Sequence, residues 1–308
     1  MKRKTLKAER STCYPGFRVQ HSAFGVKHSL TIKLSLMARM KQPFDVTGTI
    51  GKISIYKVRG SDEPVVRTKG GPTKRMVKTR KSFAATRRNN SEFGGRARMT
   101  SQVMEILRSM KYLGDYNLAG PLNSLFIPIQ AMDIESEHGQ RNIELTKNPG
   151  LLEGFNLNRR TPFSTIITNS PEYTLSKETL TATVTFPALI PGVNFFPAGN
   201  FSSYKLMAIL GVIENVFYHP GGYGNAAGNQ HLDGDYVFKS SDWITITPQS
   251  QPIELECNFR LSREELLEQK GKNNYSCLLA IGIAFGAMDR GQVEMVKYVG
   301  GGKILAMG

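Results

Sequence analysis

Eleven cations crowd between residues 67 and 98: Arg67, Lys69, Lys74, Arg75, Lys78, Arg80, Lys81, Arg87, Arg88, Arg96 and Arg98, with Glu92 as the sole carboxylate among them. Side chains of this kind, at this density, attract a phosphate backbone by releasing its condensed counterions, a mode that weakens steeply with salt. No zinc-finger or RNP motif accompanies them, so any binding is expected to read charge and not base sequence. The plain alternative is a solvated cationic face, or one that pairs with the carboxylates of a neighbouring copy. Arg67, Lys69, Lys74, Arg75, Arg80, Lys81, Arg87, Arg88, Arg96 and Arg98 are the candidates for polyanion or partner binding.

A second constellation is the row 219–236, HPGGYGNAAGNQHLDGDY, which offers His219, Tyr223, Asn225, Asn229, His231, Asp233 and Asp235 on a glycine-rich backbone. Aromatics with Asn and Asp suit a sugar, and Asp-Gly-Asp suits calcium, but the twelve-residue calcium loop with its terminal Glu is missing. Asp233 and Asp235 are a formal pair for glycoside hydrolysis, which uses two carboxyl groups about 5–10 Å apart. Gly, Asn and Asp are equally what a long hairpin loop uses to make its turns.

Other chemistry is hard to assemble from this sequence. Gly70-Gly71-Pro72-Thr73-Lys74 lacks the spacing of a phosphate loop, and Pro72 removes one of the amides such a loop would present. Cys13, Cys257 and Cys277 show no metal-ligand spacing. The last two fall on faces expected to point inward, as buried thiols or as a bridge between neighbouring strands. His21, His28, His138, His219 and His231 sit in no HExxH, HxH or GxSxG context. The expectation is a protein without catalytic residues, metal or cofactor.

The elements that must position these residues follow from composition and period. The chain has 308 residues and a formal net charge of +15, with 40% hydrophobic residues. That is an ordinary globular composition, and no stretch approaches the roughly 18 apolar residues of a membrane span. Residues 1–116 hold 26 Lys/Arg against 7 Asp/Glu, and residues 117–308 hold 14 against 18. The excess charge therefore lies entirely in the first third. Residues 1–40 are expected to be a basic arm, disordered or not native, because Met37 and Met40 stand directly before the first patterned strand. The sequence leaves the compartment open and favours the cytoplasm, since neither a recognisable signal peptide nor a disulfide framework is read in it.

Residues 41–141 are expected to form a basic hairpin-helix module. Thr47–Val58 alternates as one strand, Arg59–Asp62 turns, and Pro64–Thr68 returns. A helix is predicted over Thr79–Glu92, punctuation at Gly94-Gly95, and a second helix over Thr100–Tyr112 with Val103, Ile106, Leu107 and Met110 on one face. An apolar segment, Leu118–Met132, packs beside it. From residue 142 the period becomes two, in Thr179–Phe186, Ile253–Arg260 and Ser276–Phe285. Ser164–Thr168, Tyr204–Ile213, Asn215–Tyr218, Trp243–Thr247, Val293–Val299 and Lys303–Ala306 are further strand candidates, and Ser262–Glu265 reads as a capping box. The fold class is α+β: an N-terminal hairpin with short helices, then an antiparallel sandwich over 142–308, Ig-like or jelly-roll in style.

The row Thr47-Gly-Thr-Ile-Gly-Lys-Ile-Ser-Ile-Tyr-Lys, with Val66-Arg67-Thr-Lys69-Gly-Gly-Pro-Thr73 and Phe83-x-x-x-Arg87-x-Asn89-x-x-Glu92-Phe93-Gly94, resembles the front end of a group of uncharacterised bacterial proteins. Those proteins share a G-x-x-G-x-x-x-x-Y-K hairpin, a basic segment and a β-rich C-terminal half. The likeness is close over about residues 40–115 and carries no known activity. It supports the α+β reading and a non-enzymatic role.

Together these features predict a structural or interaction protein whose cationic module mediates self-assembly or polyanion contact. A non-sequence-specific nucleic-acid-binding protein is the first alternative, and a glycan-binding sandwich using His219, Tyr223, Asn229, His231, Asp233 and Asp235 is the second. The expected partners are another copy, a second protein or a polyanion.

Overall fold

The computed structural model describes residues 37–39, 47–57, 64–68, 70–230, 232, 234–248, 250–259, 265 and 274–308. Cys13, the turn at 59–62, Lys69, His231, Asp233 and most of the 262–265 capping box lie outside them. The chain forms two compact units, one ending at Pro72 and one running from Thr73 to Gly308. The division expected at residue 141 is not where these units part.

In the first unit, strands β1 (Met37–Arg39), β2 (Gly48–Ile50), β3 (Ile53–Tyr56) and β4 (Val65–Thr68) form an antiparallel sheet in the order β1-β4-β3-β2. The row Thr47–Val58 is thus two strands and not one. Ile50 pairs with Ile53, and Gly51 takes a φ of +57° in the two-residue turn between them. Glycine reaches that left-handed conformation without steric cost, so the chain can reverse inside an apparently continuous alternation. Met37–Arg39, expected within a disordered arm, pairs with Val65–Arg67.

The second unit opens with helices. Thr73 caps α1 (Lys74–Thr79), its hydroxyl accepting from the Met76 amide at 3.2 Å. Arg80 is extended, Lys81–Phe83 forms a 3₁₀ turn, and α2 then runs unbroken from Ala84 to Ile106. Gly94-Gly95, read as punctuation, lies inside this helix. A Cβ on Gly95 would meet the Tyr223 ring at 2.8 Å, so close packing and not a turn calls for glycine there. A 3₁₀ segment (Leu107–Leu113) leads to α3 (Ala119–Ala131). Ser164–Thr168, expected as a strand, is largely the helical turn α4 (Phe163–Ile166).

The remaining strands are β5 (Glu172–Ser176), β6 (Thr181–Phe186), β7 (Ser203–Glu214), β8 (Phe217–His219), β9 (Gly222–Gly224), β10 (Asp235–Ser240), β11 (Ile244–Thr245), β12 (Ile253–Asn258), β13 (Tyr275–Asp289) and β14 (Gln292–Met307). One sheet has the order β10-β7-β13-β14, with β11 also on β7; a second has the order β12-β6-β5; β8 and β9 form a hairpin. All pairings are antiparallel. The two segments expected at 293–299 and 303–306 are one strand, irregular where its register shifts opposite Ile283–Phe285.

Burial follows the period of each strand. β6 and β12 bury alternate residues, as a sheet wetted on one face requires. Their inward residues Ala182, Val184, Phe186, Leu255 and Cys257 share a core with Leu206, Ala208, Leu210, Leu279, Ile281 and Phe285 of the large sheet. β7 and β13 are buried on both faces, because helices cover the other side. There Met99, Val103, Ile106, Leu107, Met110 and Leu113 pack against Met207, Ile209, Leu278, Ala280 and Ile304. This face is paved with small residues: a Cβ on Gly211 would meet Ile106 at 2.5 Å, and one on Gly282 would meet Leu113 at 2.8 Å. The result is an α+β unit of three layers, a helical layer on a sheet-on-sheet sandwich. The helices assigned to a separate module belong to the body.

Candidate polyanion interface

The cationic row is divided by how its residues are held. Met76 and Val77 of α1 and Phe83 and Ala84 beyond it are half-buried, which leaves the basic residues between them outward. Arg87 closes this bend: its Nη1 donates to the carbonyls of Val77 and Arg80, both at 2.9 Å. The Val77 carbonyl lies in the last turn of α1, where helical carbonyls lack intrahelical partners, and a cation there also suits the helix dipole; the Arg80 carbonyl accepts from the Phe83 amide as well, at 3.2 Å. Lys74, Arg75, Lys78, Arg80, Lys81 and Arg88 are exposed. None of these six forms an ion pair among the described residues. Like charges at Lys74 and Lys78, four apart on a six-residue helix without an acid in its first turn, oppose helix formation slightly. The arm thus retains a local electrostatic cost that a purely structural bend has no need of.

No residue of α2 is buried before Glu92, and from there the helix enters the body. Glu92 is consumed locally: its Oε1 accepts from the Gly139 amide at 2.9 Å, and His138 Nε2 and Arg141 Nε lie 3.6 and 3.8 Å from the carboxylate. Gly139 (φ +103°) lies against the aliphatic stem of Arg88, where a Cβ would come within 2.8 Å. Stem packing with an exposed side chain is how a long cation covers apolar surface and stays wet.

Arg96 and Arg98 are held differently. Arg96 donates from Nε to Asn123 Oδ1 at 3.3 Å and from Nη1 to Gln130 Oε1. Arg98 donates to the Gln230 carbonyl and, at 3.3 Å, to Gln230 Oε1. Both are half-buried fasteners between α2 and its surroundings. Arg67 belongs to the first unit, where its guanidinium lies 5.3 Å from the centroid of the Tyr56 ring.

The 219–236 row is spent mostly on itself. Tyr223 is 4% exposed, packs against Gly95, and has its hydroxyl 3.5 Å from Gln130 Nε2 and from the Gly139 carbonyl. Burial, reinforced by the Glu92 charge, pushes its phenol up to about 12. Asn225 is buried; its Oδ1 accepts from the Ala227 and Asn229 amides and its Nδ2 donates to Glu214 Oε2. His219 Nε2 lies 2.8 Å from the Asn225 carbonyl, the Asn229 carbonyl accepts from the Asn225 amide, and Asp235 stands opposite Val212 at the start of β10. The loop is therefore a clasp that fits the β8–β9 hairpin to α2.

Two further features were not anticipated. Gln102, fully buried in the apolar stripe of α2, accepts from the Glu214 amide at 2.8 Å and donates to its carbonyl at 3.1 Å, satisfying the end of β7. A lone amide between Met99 and Val103 was the available signal. The outward face of the small sheet carries a row Glu254, Thr185, Glu172, with Glu256 beside Thr183 in the next. These three carboxylates are exposed and form no ion pair among the described residues. Cys257 and Cys277 are free and buried, and burial pushes both thiols up to about 11. Among the described residues, no group of three His, Cys, Asp or Glu side chains is placed to hold a metal, and no helix is long and apolar enough to cross a membrane.

No family model, no curated protein and no solved structure matches this chain.

Proposed function

We propose that this is a non-enzymatic interaction protein that docks on an extended polyanion, a nucleic-acid backbone being the commonest of that chemistry, through the arm formed by α1 and the first two turns of α2. The observation that carries this reading is the set of six exposed cations, Lys74, Arg75, Lys78, Arg80, Lys81 and Arg88, which form no ion pair among the described residues, on a bend fastened by Arg87. Six phosphate contacts on a duplex correspond to a salt slope of about −5 and a loss of roughly a thousandfold in affinity between about 50 and 200 mM salt. Lysine and arginine on short helical segments make point and fork contacts to phosphates without reading base edges. Fluorescence anisotropy with random-sequence DNA and RNA at low salt tests it. Micromolar or tighter binding that disappears when Lys74, Arg75, Lys78 and Lys81 are changed to Glu is expected; silence of the wild-type chain on both nucleic acids and on heparin defeats it.

A second reading has its own observation. The row Glu254, Thr185, Glu172 with Glu256 offers an acidic sheet face, and the arm of one copy on that face of the next gives head-to-tail assembly. Association that is lost on adding salt and on Glu254→Lys with Glu256→Lys distinguishes it from nucleic-acid binding.

A further inference from the structure

The outside of the helical layer has a chemistry that its position leaves unexplained. From Tyr116 to Met132 the chain contains no Asp, Glu, Lys or Arg. Yet α3 is an outer element: Ile127 and Met132 are 50% and 58% exposed while Leu122, Phe126 and Ile129 pack inward. Its polar side chains are only Asn123, Ser124 and Gln130, of which the first and last are buried, whereas an outer helix ordinarily turns charged and polar residues to solvent. Between α2 and α3 runs an open groove of about 610 Å³. Ala97 and Ser101 line it from α2, Gly120 and Ser124 from α3, each pair four residues apart and so on one helix face. Phe93, 56% exposed, stands in the same groove one turn before Ala97. Thr100 also lines it and is 5% exposed.

We propose that this face is covered by a second copy of the chain, the two α2 helices crossing antiparallel about a two-fold axis near Ala97, with Phe93 of each copy in the small-residue groove of the other. A two-fold contact must be self-complementary, and here the large side chain and the hollow lie on the same face four residues apart. Antiparallel crossing at Ala97 sets Phe93 of one copy opposite Ser101 of the other. Small residues let two helices approach at or below the usual 8–10 Å. Charge selects this occupant over a foreign acidic or basic one. An uncharged face meets its own likeness without burying a charge, whereas a charged partner gains nothing from it. The cationic arms lie at the N-terminal end of α2, so the antiparallel arrangement holds them at opposite ends, and a parallel one would crowd twelve exposed cations together. This contact does not depend on the polyanion reading, although a dimer with an arm at each end would grip a long polyanion bivalently.

Sedimentation velocity of the full chain in about 0.5 M salt, where exposed charges are screened beyond roughly 4 Å, isolates this contact from charge pairing. A species of two-chain mass at micromolar concentration is expected. Ala97→Glu and Phe93→Asp should each return it to one-chain mass with an unchanged circular dichroism spectrum, and Phe93→Ala should weaken association at least tenfold. Lys74→Glu with Lys78→Glu should leave the dimer intact. A wild-type monomer at every concentration overturns the proposal, as does a dimer indifferent to the exposed-site substitution Phe93→Asp, whatever Ala97→Glu does to folding.

Discussion

The two halves of α2 differ in what they do with the same residue type. Before Glu92 the helix is unburied and its arginines reach either solvent, as Arg88 does, or the carbonyls that end α1, as Arg87 does. After Glu92 the arginines end on neutral acceptors of the body, Asn123, Gln130 and Gln230. Each side of that residue carries two arginines of α2. What separates an available cation from a structural one is whether the helix beneath it rests on the sheet. Glu92 marks the change because it is the first side chain of α2 to be buried, and it offsets its burial with the Gly139 amide and the nearby His138 and Arg141 side chains.

Substitutions can break that contrast in either half. The largest effect is expected at the outer half, on binding: changing Lys74, Arg75, Lys78 and Lys81 to Glu should cost at least a thousandfold in nucleic-acid affinity while moving stability by no more than about 0.5 kcal/mol. Isothermal titration and urea unfolding read the two quantities. The inner half should show the reverse. Ile106→Ala removes a side chain packed against Gly211 and should cost about 2–5 kcal/mol in urea unfolding. Gln102→Leu removes two buried hydrogen bonds to the Glu214 backbone and should cost about 1–3 kcal/mol. Neither should alter binding of the folded fraction.

Arg96→Ala sharpens the comparison, because the residue belongs to the same basic row. It should destabilise by about 1–3 kcal/mol through the lost bonds to Asn123 and Gln130, with nucleic-acid affinity within twofold of wild type. The smallest effect concerns the connection after α3. Asp133 loses solvent on folding, which would raise its carboxyl, but the amides of Asn142, Ser136 and Glu135 outweigh this and hold it below its ordinary 3.8. A depressed carboxyl stabilises the fold above its unfolded value, and that contribution disappears as pH falls through the folded one. Asp133→Asn should therefore lower the melting temperature slightly at neutral pH, and the gap should close as the pH drops below about 3.8.

Parts of this architecture are visible in the residues alone, and others are visible only in the packing. Alternation places β6, β12 and the buried face of β13 correctly, because a half-wet strand must show period two. The stripe Val103, Ile106, Leu107 and Met110 marks the side of the helical layer that meets the sheet. The sandwich is likewise legible, but the helical layer on it is not, since nothing local distinguishes a helix docked on a sheet from one in a separate module. Gly94-Gly95 misleads for a related reason: glycine serves a turn or a close contact equally, and Tyr223 decides which. In Thr47–Val58 the apolar alternation runs across the Gly51-Lys52 turn and conceals it. Of the site residues, density singled out the basic row, but Arg87, Arg96 and Arg98 could not be separated from Arg80 and Arg88 without their acceptors. Tyr223 and Asn225 looked like ligand groups because a buried hydrogen-bonding clasp and a binding loop draw on the same residue types.

The central claim is that the outer cations and not the inner ones are available to a polyanion. It is tested most directly by the slope of log affinity against log salt for one DNA duplex, measured for wild type, for Arg80→Gln with Arg88→Gln, and for Arg96→Gln. A wild-type slope near −5 that falls by about 2 in the outer double variant and is unchanged in Arg96→Gln is the predicted result. Equal slopes for all three proteins, or a slope near zero for the wild type, would contradict it.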